Sequence, residues 1–181
     1  MTEQAPWKVL GGLPPYGPMA LPFTATGLGT YREGLVVEFR SHAGNWVGNF
    51  QRGVSSCDEV CEHPDGRHVI VVAGGTAYIV APETRTLAHH FGAQIEQVLA
   101  VADQRLLVFG NGLWFEAVGP DGMQWRSRQL SWDGVRNVTR SARVLRGEAY
   151  APEGPEGTWY PFEVDLETGE VTGGSYPGPP T

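Results

Sequence analysis

The sequence predicts an all-β protein built from repeated four-stranded antiparallel meanders. Three observations lead to this prediction. The 181 residues include 25 glycines and 14 prolines, and because these residues punctuate turns, they favour many short strands over a few long helices. Short apolar runs alternate with turn signals along most of the chain. One pattern of turn and strand also recurs along the sequence at a nearly regular spacing.

The recurring pattern is an apolar strand end, a polar turn and an apolar residue that starts the next strand. VAPETRTL (80–87) is followed 38 residues later by VGPDGMQW (118–125) and a further 46 residues later by VDLETGEV (164–171). FRSHAGNW (39–46) starts 41 residues before the first of these. Because repeats with periods of about 20–50 residues indicate a repeated supersecondary unit, we expect four such units.

The two central units carry a further hairpin ahead of this pattern. In each of these units, two residues that tolerate positive φ lie between two apolar strands, as tight hairpins require. Another polar turn precedes the first of these strands, so each unit should contain four antiparallel strands. The hairpin pairs are Gly74-Gly75 and Asn111-Gly112, and the preceding turns are PDGR (64–67) and ADQR (102–105).

Two stretches, AYIVAPETRTL (77–87) and YPFEVDLETGEV (160–171), have the pattern of a hairpin that closes a unit. In these residues the chain resembles the β-propeller superfamilies, in the loose manner of WD40-like and quinoprotein-like repeats. The resemblance covers residues 31 to 175 and implies a small four-bladed or incomplete β-propeller. It implies little about activity, because propellers host many unrelated functions.

The expected organisation has three parts. They are a Pro/Gly-rich N-terminal arm (1–30), a single propeller-like domain (31–175) and a flexible tail (176–181). An incomplete propeller would have to cover its open edge with the Pro-rich stretch of the arm or with a second copy of the chain. A homodimer is therefore expected only if the propeller is open.

Neither a secretory signal nor a membrane span is expected. The N-terminus lacks a basic segment followed by an apolar run, and no stretch of about 18 apolar residues occurs. The two cysteines, Cys57 and Cys61, are too few for a disulfide framework. We expect a cytoplasmic protein with reduced thiols.

Four residues have the chemistry of zinc ligands: Cys57, Cys61, His63 and His68. In an extended strand, however, the two cysteines would lie about 13 Å apart, too far to share one ion. The CxxC pairs of structural zinc sites are also absent. The sequence therefore predicts buried, inert cysteines, no metal site and no cofactor.

No catalytic residue is predicted. His89 and His90 end a fourth strand and should point to opposite faces, whereas a general base needs a partner and a reacting group beside it. The GxSxG, HExxH and P-loop motifs do not occur. The expected protein is not an enzyme.

A basic segment precedes an acidic one near the C-terminus. Residues 125–146 contain six arginines and one aspartate, whereas residues 147–181 contain seven acids and no lysine or arginine. Arginine beside tryptophan is suited to nucleic acid, but the net charge of −7 and the single lysine disfavour such a partner. We expect neighbouring strands to complement one another's charge instead.

The favoured function is a non-enzymatic interaction module that binds or inhibits a partner protein. The links between units should emerge on one face, and LSWDGVRN (130–137) has the richest contact chemistry among them. Trp and Arg dominate binding energy at interfaces. The candidate binding residues are Trp132, Asp133, Arg136, Arg52 and His90.

The alternative function is a propeller that binds or hydrolyses a small molecule or carbohydrate. Acids such as Asp133, Glu153 and Glu156 would then surround a central pocket, since paired carboxylates do the acid–base work of sugar hydrolysis. Three other aromatic residues, Trp46, Trp114 and Trp125, are expected to pack in the core.

Overall fold

A computed structural model describes residues 5–27, 32–153 and 156–178. Half of these residues are in β-strands, and the one helix among them is a 3-10 turn at Ala102–Gln104. The prediction of an all-β protein is confirmed. The described residues include no helix that is long and apolar enough to cross a membrane. Parts of the predicted arm (1–4 and 28–30) and of the predicted tail (179–181) lie outside the described residues.

The described strands form four sheets of four strands each. In chain order they are β1 (Trp7–Leu10), β2 (Leu21–Phe23), β3 (Leu35–Phe39), β4 (Trp46–Phe50), β5 (Glu59–Glu62), β6 (Val69–Ala73), β7 (Thr76–Ala81), β8 (Thr86–Phe91), β9 (Gln97–Val101), β10 (Leu106–Gly110), β11 (Phe115–Gly119), β12 (Gly122–Arg126), β13 (Val135–Ser141), β14 (Val144–Ala151), β15 (Thr158–Asp165) and β16 (Val171–Gly173). Contacts group the chain into two compact units. The unit Met1–Ile95 contains sheet I (β1–β4) and sheet II (β5–β8), and the unit Glu96–Thr181 contains sheet III (β9–β12) and sheet IV (β13–β16).

Sheets II, III and IV are the predicted antiparallel meanders. Their strand orders are β5-β6-β7-β8, β12-β11-β10-β9 and β13-β14-β15-β16. Strands β6 and β11 are buried along their whole length, whereas every residue of the edge strand β8 is exposed or half-buried. This distribution explains why the inner strands are apolar without alternation and the fourth strands are polar.

Sheet I differs from the predicted meander. Its order is β1-β3-β4-β2, and β2 runs parallel to β4, with Phe23 opposite Phe50. Both edge strands come from the segment predicted as an arm (1–30). Pro22 lies in β2, and because proline has no N–H to donate to a neighbouring strand, it is suited to an edge position.

One of the two predicted tight hairpins is confirmed. Gly74-Gly75 connects paired residues of β6 and β7, and both glycines have positive φ, at 54° and 83°. A Cβ added at Gly74 would lie 2.9 Å from the backbone nitrogen of Gly53, so this position also requires glycine for space.

The second predicted hairpin is longer than two residues. The Asn111 side chain accepts the backbone N–H groups of Leu113 and Trp114 at 3.0 and 2.9 Å, which extends the turn to residue 114. Trp114 therefore lies in the turn rather than in a strand. It is only half-buried, and its indole donates to Glu116 Oε1 at 3.0 Å. The prediction that Trp114 packs in the core is wrong.

The other two tryptophans of the recurring pattern are buried and join two sheets within each unit. Trp46 Nε1 donates to the carbonyl of Pro82 at 2.9 Å, and Trp125 Nε1 donates to the carbonyl of Leu166 at 2.9 Å. In both cases the eighth residue of one copy of the pattern bonds to the third residue of the next copy. The core prediction for Trp46 and Trp125 is confirmed.

Both indole rings also pack closely against neighbouring residues. Trp46 stacks on Phe39 with ring centroids 4.4 Å apart. Trp125 lies against Gly169, where an added Cβ would be 2.7 Å from the indole ring. Gly169 also has a φ of +75°, so the turn that receives the indole needs glycine for both conformation and space.

Replacing either buried indole by a phenyl ring should destabilise the protein. Trp46→Phe and Trp125→Phe leave a buried carbonyl without its donor, and we expect each to lower the free energy of unfolding by about 2 kcal/mol. Urea unfolding followed by circular dichroism would measure the loss. Trp132→Phe, at a side chain that is 49% exposed, should change stability by less than about 0.5 kcal/mol. Equal, small effects in all three variants would contradict the assigned bonds.

Candidate functional site

The five predicted binding residues are distributed over both units. Trp132 and Asp133 lie exposed in the link between β12 and β13, and Arg136 lies in β13, all in the second unit. Arg52 follows β4 and His90 lies in β8, both in the first unit. The second unit therefore contains the larger part of the predicted site.

Trp132 stands at a shallow hollow on the second unit. Its indole is 49% exposed, and the Tyr176 ring meets it edge-on with centroids 4.7 Å apart. The hollow has a volume of about 430 Å³. We call it the Trp132 hollow, and its main side chains are Trp132, Tyr160, Tyr176, Pro177, Arg128 and Glu153.

The link that carries Trp132 is fixed to the adjacent sheet. The Trp132 N–H donates to the Tyr150 carbonyl at 3.2 Å. Ser131 is fully buried, and its hydroxyl donates to the Gly134 carbonyl at 2.6 Å and accepts the Tyr150 N–H at 3.1 Å. These bonds place an exposed aromatic ring on a rigid backbone.

Arg128 fixes the other wall of the hollow. Its Nη1 donates to the Tyr176 carbonyl at 2.9 Å and its Nη2 to the Gly173 carbonyl at 2.7 Å. The backbone N–H groups of Ser175 and Tyr176 donate to the carbonyl of Leu130. The start of the predicted flexible tail is thus held against the Trp132 link.

One carboxylate lies in the hollow. The Tyr160 hydroxyl donates to Glu153 Oε2 at 2.7 Å. This hydrogen bond to a carboxylate, together with its charge, raises the pKa of Tyr160. The hollow therefore combines aromatic faces with one acidic group. The other two acids of the alternative hypothesis, Asp133 and Glu156, are not among the described residues that line it.

Sequence reasoning missed Arg128, Tyr160 and Tyr176. Arg128 bonds to residues 45 and 48 positions away, and no local pattern reports such contacts. Tyr160 is 37% exposed although it alternates in step with the buried Phe162 and Val164 of β15, so the sequence pattern carries no signal for its exposure. Tyr176 was assigned to a tail because prolines and glycines surround it.

Arg136 packs on a different aromatic residue. Its guanidinium lies over the Trp159 ring, 4.1 Å from the centroid, and its Nε donates to Glu148 Oε2 at 2.9 Å. This bond, with a second from Asn137, lowers the pKa of Glu148. These interactions hold Arg136 in place, and neither Arg136 nor Trp159 is among the described residues that line the hollow.

Arg52 and His90 have mainly local contacts. Arg52 forms an ion pair with Asp58, whose other oxygen accepts the Gly74 N–H at 2.9 Å. His90 is half-buried opposite Tyr78 in β7, and its ring lies 6.1 Å from that of His89. Their part in binding stays a prediction.

Five arginines of the basic segment form ion pairs with acids of the second unit. This confirms the expectation that neighbouring strands complement one another's charge. The sixth, Arg128, donates to backbone carbonyls. The pairs are Arg126–Glu116, Arg136–Glu148, Arg140–Asp103, Arg143–Glu167 and Arg146–Glu163.

The four residues with the chemistry of zinc ligands separate into two groups. His63 and His68 lie close together with Asp65 at the turn between β5 and β6, and the possible ligand atoms of these three residues lie within 4.8 Å of one another. The cysteines do not join this group among the described residues, and both are half-buried rather than fully buried as predicted. Burial raises the pKa of the Cys61 thiol to about 12, with a further contribution from the Glu59 charge.

Two members of the His63–Asp65–His68 cluster, His63 and Asp65, have shifted pKa values. Burial lowers the pKa of His63, although the Asp65 carboxylate acts in the opposite direction. Burial alone would raise the pKa of Asp65, but the Arg67 N–H and the ring and backbone N–H of His68 together hold it well below its usual range. Near neutral pH, Asp65 is therefore ionised and His63 uncharged.

No protein-family model matches the chain, and no curated protein matches its sequence. Among solved structures it is similar to one described as "Crystal structure of the eukaryotic initiation factor", at 11% sequence identity and a TM-score of 0.44. The match covers 78% of this chain and 40% of that chain. This chain thus matches less than half the length of that structure.

The raised pKa of Cys61 predicts slow alkylation. Because the thiolate is the nucleophile, Cys61 of a Cys57→Ser protein should react with iodoacetamide at about pH 8 at least about tenfold more slowly when folded than in urea. Mass spectrometry of quenched samples measures both rates. Similar rates in the two states would contradict the burial of this thiol.

The raised pKa of Cys61 also predicts how the stability of the protein depends on pH. The folded pKa lies above the ordinary value of 9.0, so the folded state binds this proton more tightly than the unfolded state. The stabilisation that comes from the protonated Cys61 thiol is complete below about pH 9 and is lost as the pH rises toward 12.

Proposed function

We propose that this chain is a non-enzymatic protein-interaction module that binds its partner through the Trp132 hollow. The observation that carries the proposal is a half-exposed Trp132 on a rigid link, with Tyr160 and Tyr176 beside it. Large aromatic side chains on a polar surface are the residues that dominate interface energy. A purely structural role does not explain why the side chains of Trp132, Tyr160 and Tyr176 all remain accessible.

Rigidity of the hollow supports tight binding. A flexible site loses affinity because its side chains and loops must be ordered when the partner binds. Here the link is bonded to Tyr150 and the tail is held by Arg128 before any partner arrives. Most of the entropy cost of ordering the side chains and loops of the site is therefore met when the chain folds.

The chemistry of the hollow indicates the kind of segment it binds. A volume of about 430 Å³ accommodates one or two anchor side chains. Its rings suit a proline or an aromatic anchor, because aromatic-lined grooves recognise proline-rich and aromatic peptides. Glu153 favours a neighbouring basic residue in the partner. The proposed partner segment is therefore apolar with an adjacent positive charge.

A second candidate, a carbohydrate-binding site, is favoured by one observation. Trp132 and Tyr160 present aromatic rings next to the Glu153 carboxylate in the same hollow. Hydrolysis is a weaker candidate than binding, since it uses two carboxylates about 5–10 Å apart and one acid lines the hollow among the described residues. Binding of a sugar is thus an outcome to be tested beside peptide binding.

We also propose an arrangement of the four sheets and a cellular location. We place the four sheets as blades of a small β-propeller that extends the predicted domain (31–175) by the edge strands β1 and β2, with a cytoplasmic location in which Cys57 and Cys61 stay reduced. Nucleic acid is not proposed as a partner, since the basic segment is engaged within the protein by the ion pairs described above.

The proposal predicts peptide binding that depends on Trp132. A phage-displayed random peptide library selected on the intact chain should yield binders. Trp132→Ala should weaken them by about 2 kcal/mol, or about 30-fold in Kd by isothermal titration calorimetry. The same variant should keep its stability, because the side chain is largely outside the core.

Tyr16→Ala is the matched control. Tyr16 is 90% exposed and lies in the first unit, so its loss should leave peptide binding unchanged. Peptides that bind Trp132→Ala as well as the wild type would overturn the assigned surface. If the library yields no binder and a glycan array yields a ligand that needs Trp132, the carbohydrate alternative replaces the peptide proposal.

A further inference from the structure

A six-residue turn in the first unit holds two imidazoles around a carboxylate. Residues 63–68, His-Pro-Asp-Gly-Arg-His, connect β5 to β6. The backbone N–H of His63 donates to the His68 carbonyl at 2.9 Å, and the backbone N–H of Gly66 donates to the His63 carbonyl at 2.9 Å. These bonds bring both ends of the turn, and so both histidines, to the same place.

Asp65 is fixed at the centre of the turn. Its Oδ1 accepts the backbone N–H groups of Arg67 at 2.8 Å and His68 at 3.0 Å. Its Oδ2 lies 2.6 Å from His68 Nδ1. An aspartate that caps a turn in this way is common in structural turns. The capping role explains the position of Asp65 but not the second imidazole.

His63 is the residue that a structural turn leaves unexplained. The Asp65 N–H donates to His63 Nδ1 at 3.2 Å, so this nitrogen presents a lone pair. Asp65 Oδ1 also lies 3.2 Å from the same nitrogen. The lone pair of Nδ1 already accepts the Asp65 N–H, so an ion at His63 would bond to Nε2, or to Nδ1 in place of that hydrogen bond.

Water does little to screen this contact. The side chain of His63 is 5% exposed, that of Asp65 is 10% exposed and that of His68 is 26% exposed. Polar groups so far from solvent need partners. Among the described residues every buried side-chain nitrogen and oxygen has a partner, so an ion bonded to all three side chains would replace hydrogen bonds within the turn.

We propose that His63, Asp65 and His68 form a binding site for a divalent transition-metal ion. Imidazole and carboxylate are ligands for Zn²⁺ and Fe²⁺, and two histidines with one carboxylate form a known three-ligand set for such ions. Neighbouring ligands of an ion with bonds of about 2.1 Å lie about 3.0–3.4 Å apart. The 3.2 Å contact between His63 and Asp65 matches this spacing, whereas the 2.6 Å contact is a hydrogen bond from the His68 ring that the ion would replace.

The site would leave coordination positions open. Three protein ligands leave at least one place for water or a ligand. His68 and Gly66 also line a hollow of about 920 Å³ in the first unit, so this side of the turn can be reached. The proposal replaces the expectation of no metal site and needs neither cysteine. It is independent of the proposed function of the Trp132 hollow.

Zinc binding to the intact, chelator-treated chain tests the proposal. Isothermal titration near neutral pH should show about one equivalent of Zn²⁺ with a Kd of about 1 μM or lower. His63→Ala and His68→Ala should each weaken binding by at least about 100-fold. His89→Ala, a histidine variant outside the cluster, should bind zinc as the wild type does.

Co²⁺ provides a readout that needs no variant at the turn. Bound to the wild-type chain, it should give the visible bands of nitrogen and oxygen ligands without the charge-transfer bands of thiolate. A Cys57→Ser/Cys61→Ser protein should bind equally well. The proposal is overturned if the wild type binds neither ion stoichiometrically, if both histidine variants bind as tightly as the wild type, or if binding needs the cysteines.

Discussion

The indole N–H of a tryptophan, donated to a backbone carbonyl of the next sheet, is the interaction on which the packing of each unit depends. It occurs once in the first unit, from Trp46 to Pro82, and once in the second, from Trp125 to Leu166. The recurring eight-residue pattern encodes both partners, because its third position lies in the accepting turn and its eighth carries the donor. A single motif thus forms a hairpin and joins two sheets. This explains why a chain with few helix signals can build extensive apolar cores from short strands.

The proposed working surfaces lie where the chain departs from this pattern. Trp132 is in a link between sheets, and the hydrogen bonds of that link hold the backbone while leaving the ring half-exposed. His63 and His68 are at a turn whose Pro-Asp-Gly centre would serve equally well with other flanking residues. Repetition supplies rigidity and the non-repeated side chains supply specific chemistry. Function on such a scaffold has to be argued from these side chains and not from the fold.

The local features of the fold were accessible from the sequence, and the non-local ones were not. Turn residues and apolar runs predicted three of the four sheets, because neighbouring strands there are consecutive in the chain. The parallel pairing of β2 with β4 joins segments about 25 residues apart and has no turn signal. Trp114 was misplaced because the Asn111 side chain lengthens its turn. Of the candidate site, Trp132 was found by residue type, whereas Arg128 and Tyr176 depend on contacts 48 residues apart.

Hydrogen exchange of the six tryptophan indole N–H groups, followed by NMR on the ¹⁵N-labelled chain, separates structural from working aromatic residues in one experiment. The account predicts that the indoles of Trp46 and Trp125 exchange at least about 100-fold more slowly than that of Trp132, because only the first two are buried donors whose exchange requires the sheets to separate. If the Trp46 and Trp125 signals exchange as fast as the Trp132 signal, neither indole is bonded to the next sheet. The division between structural and binding tryptophans would then be wrong.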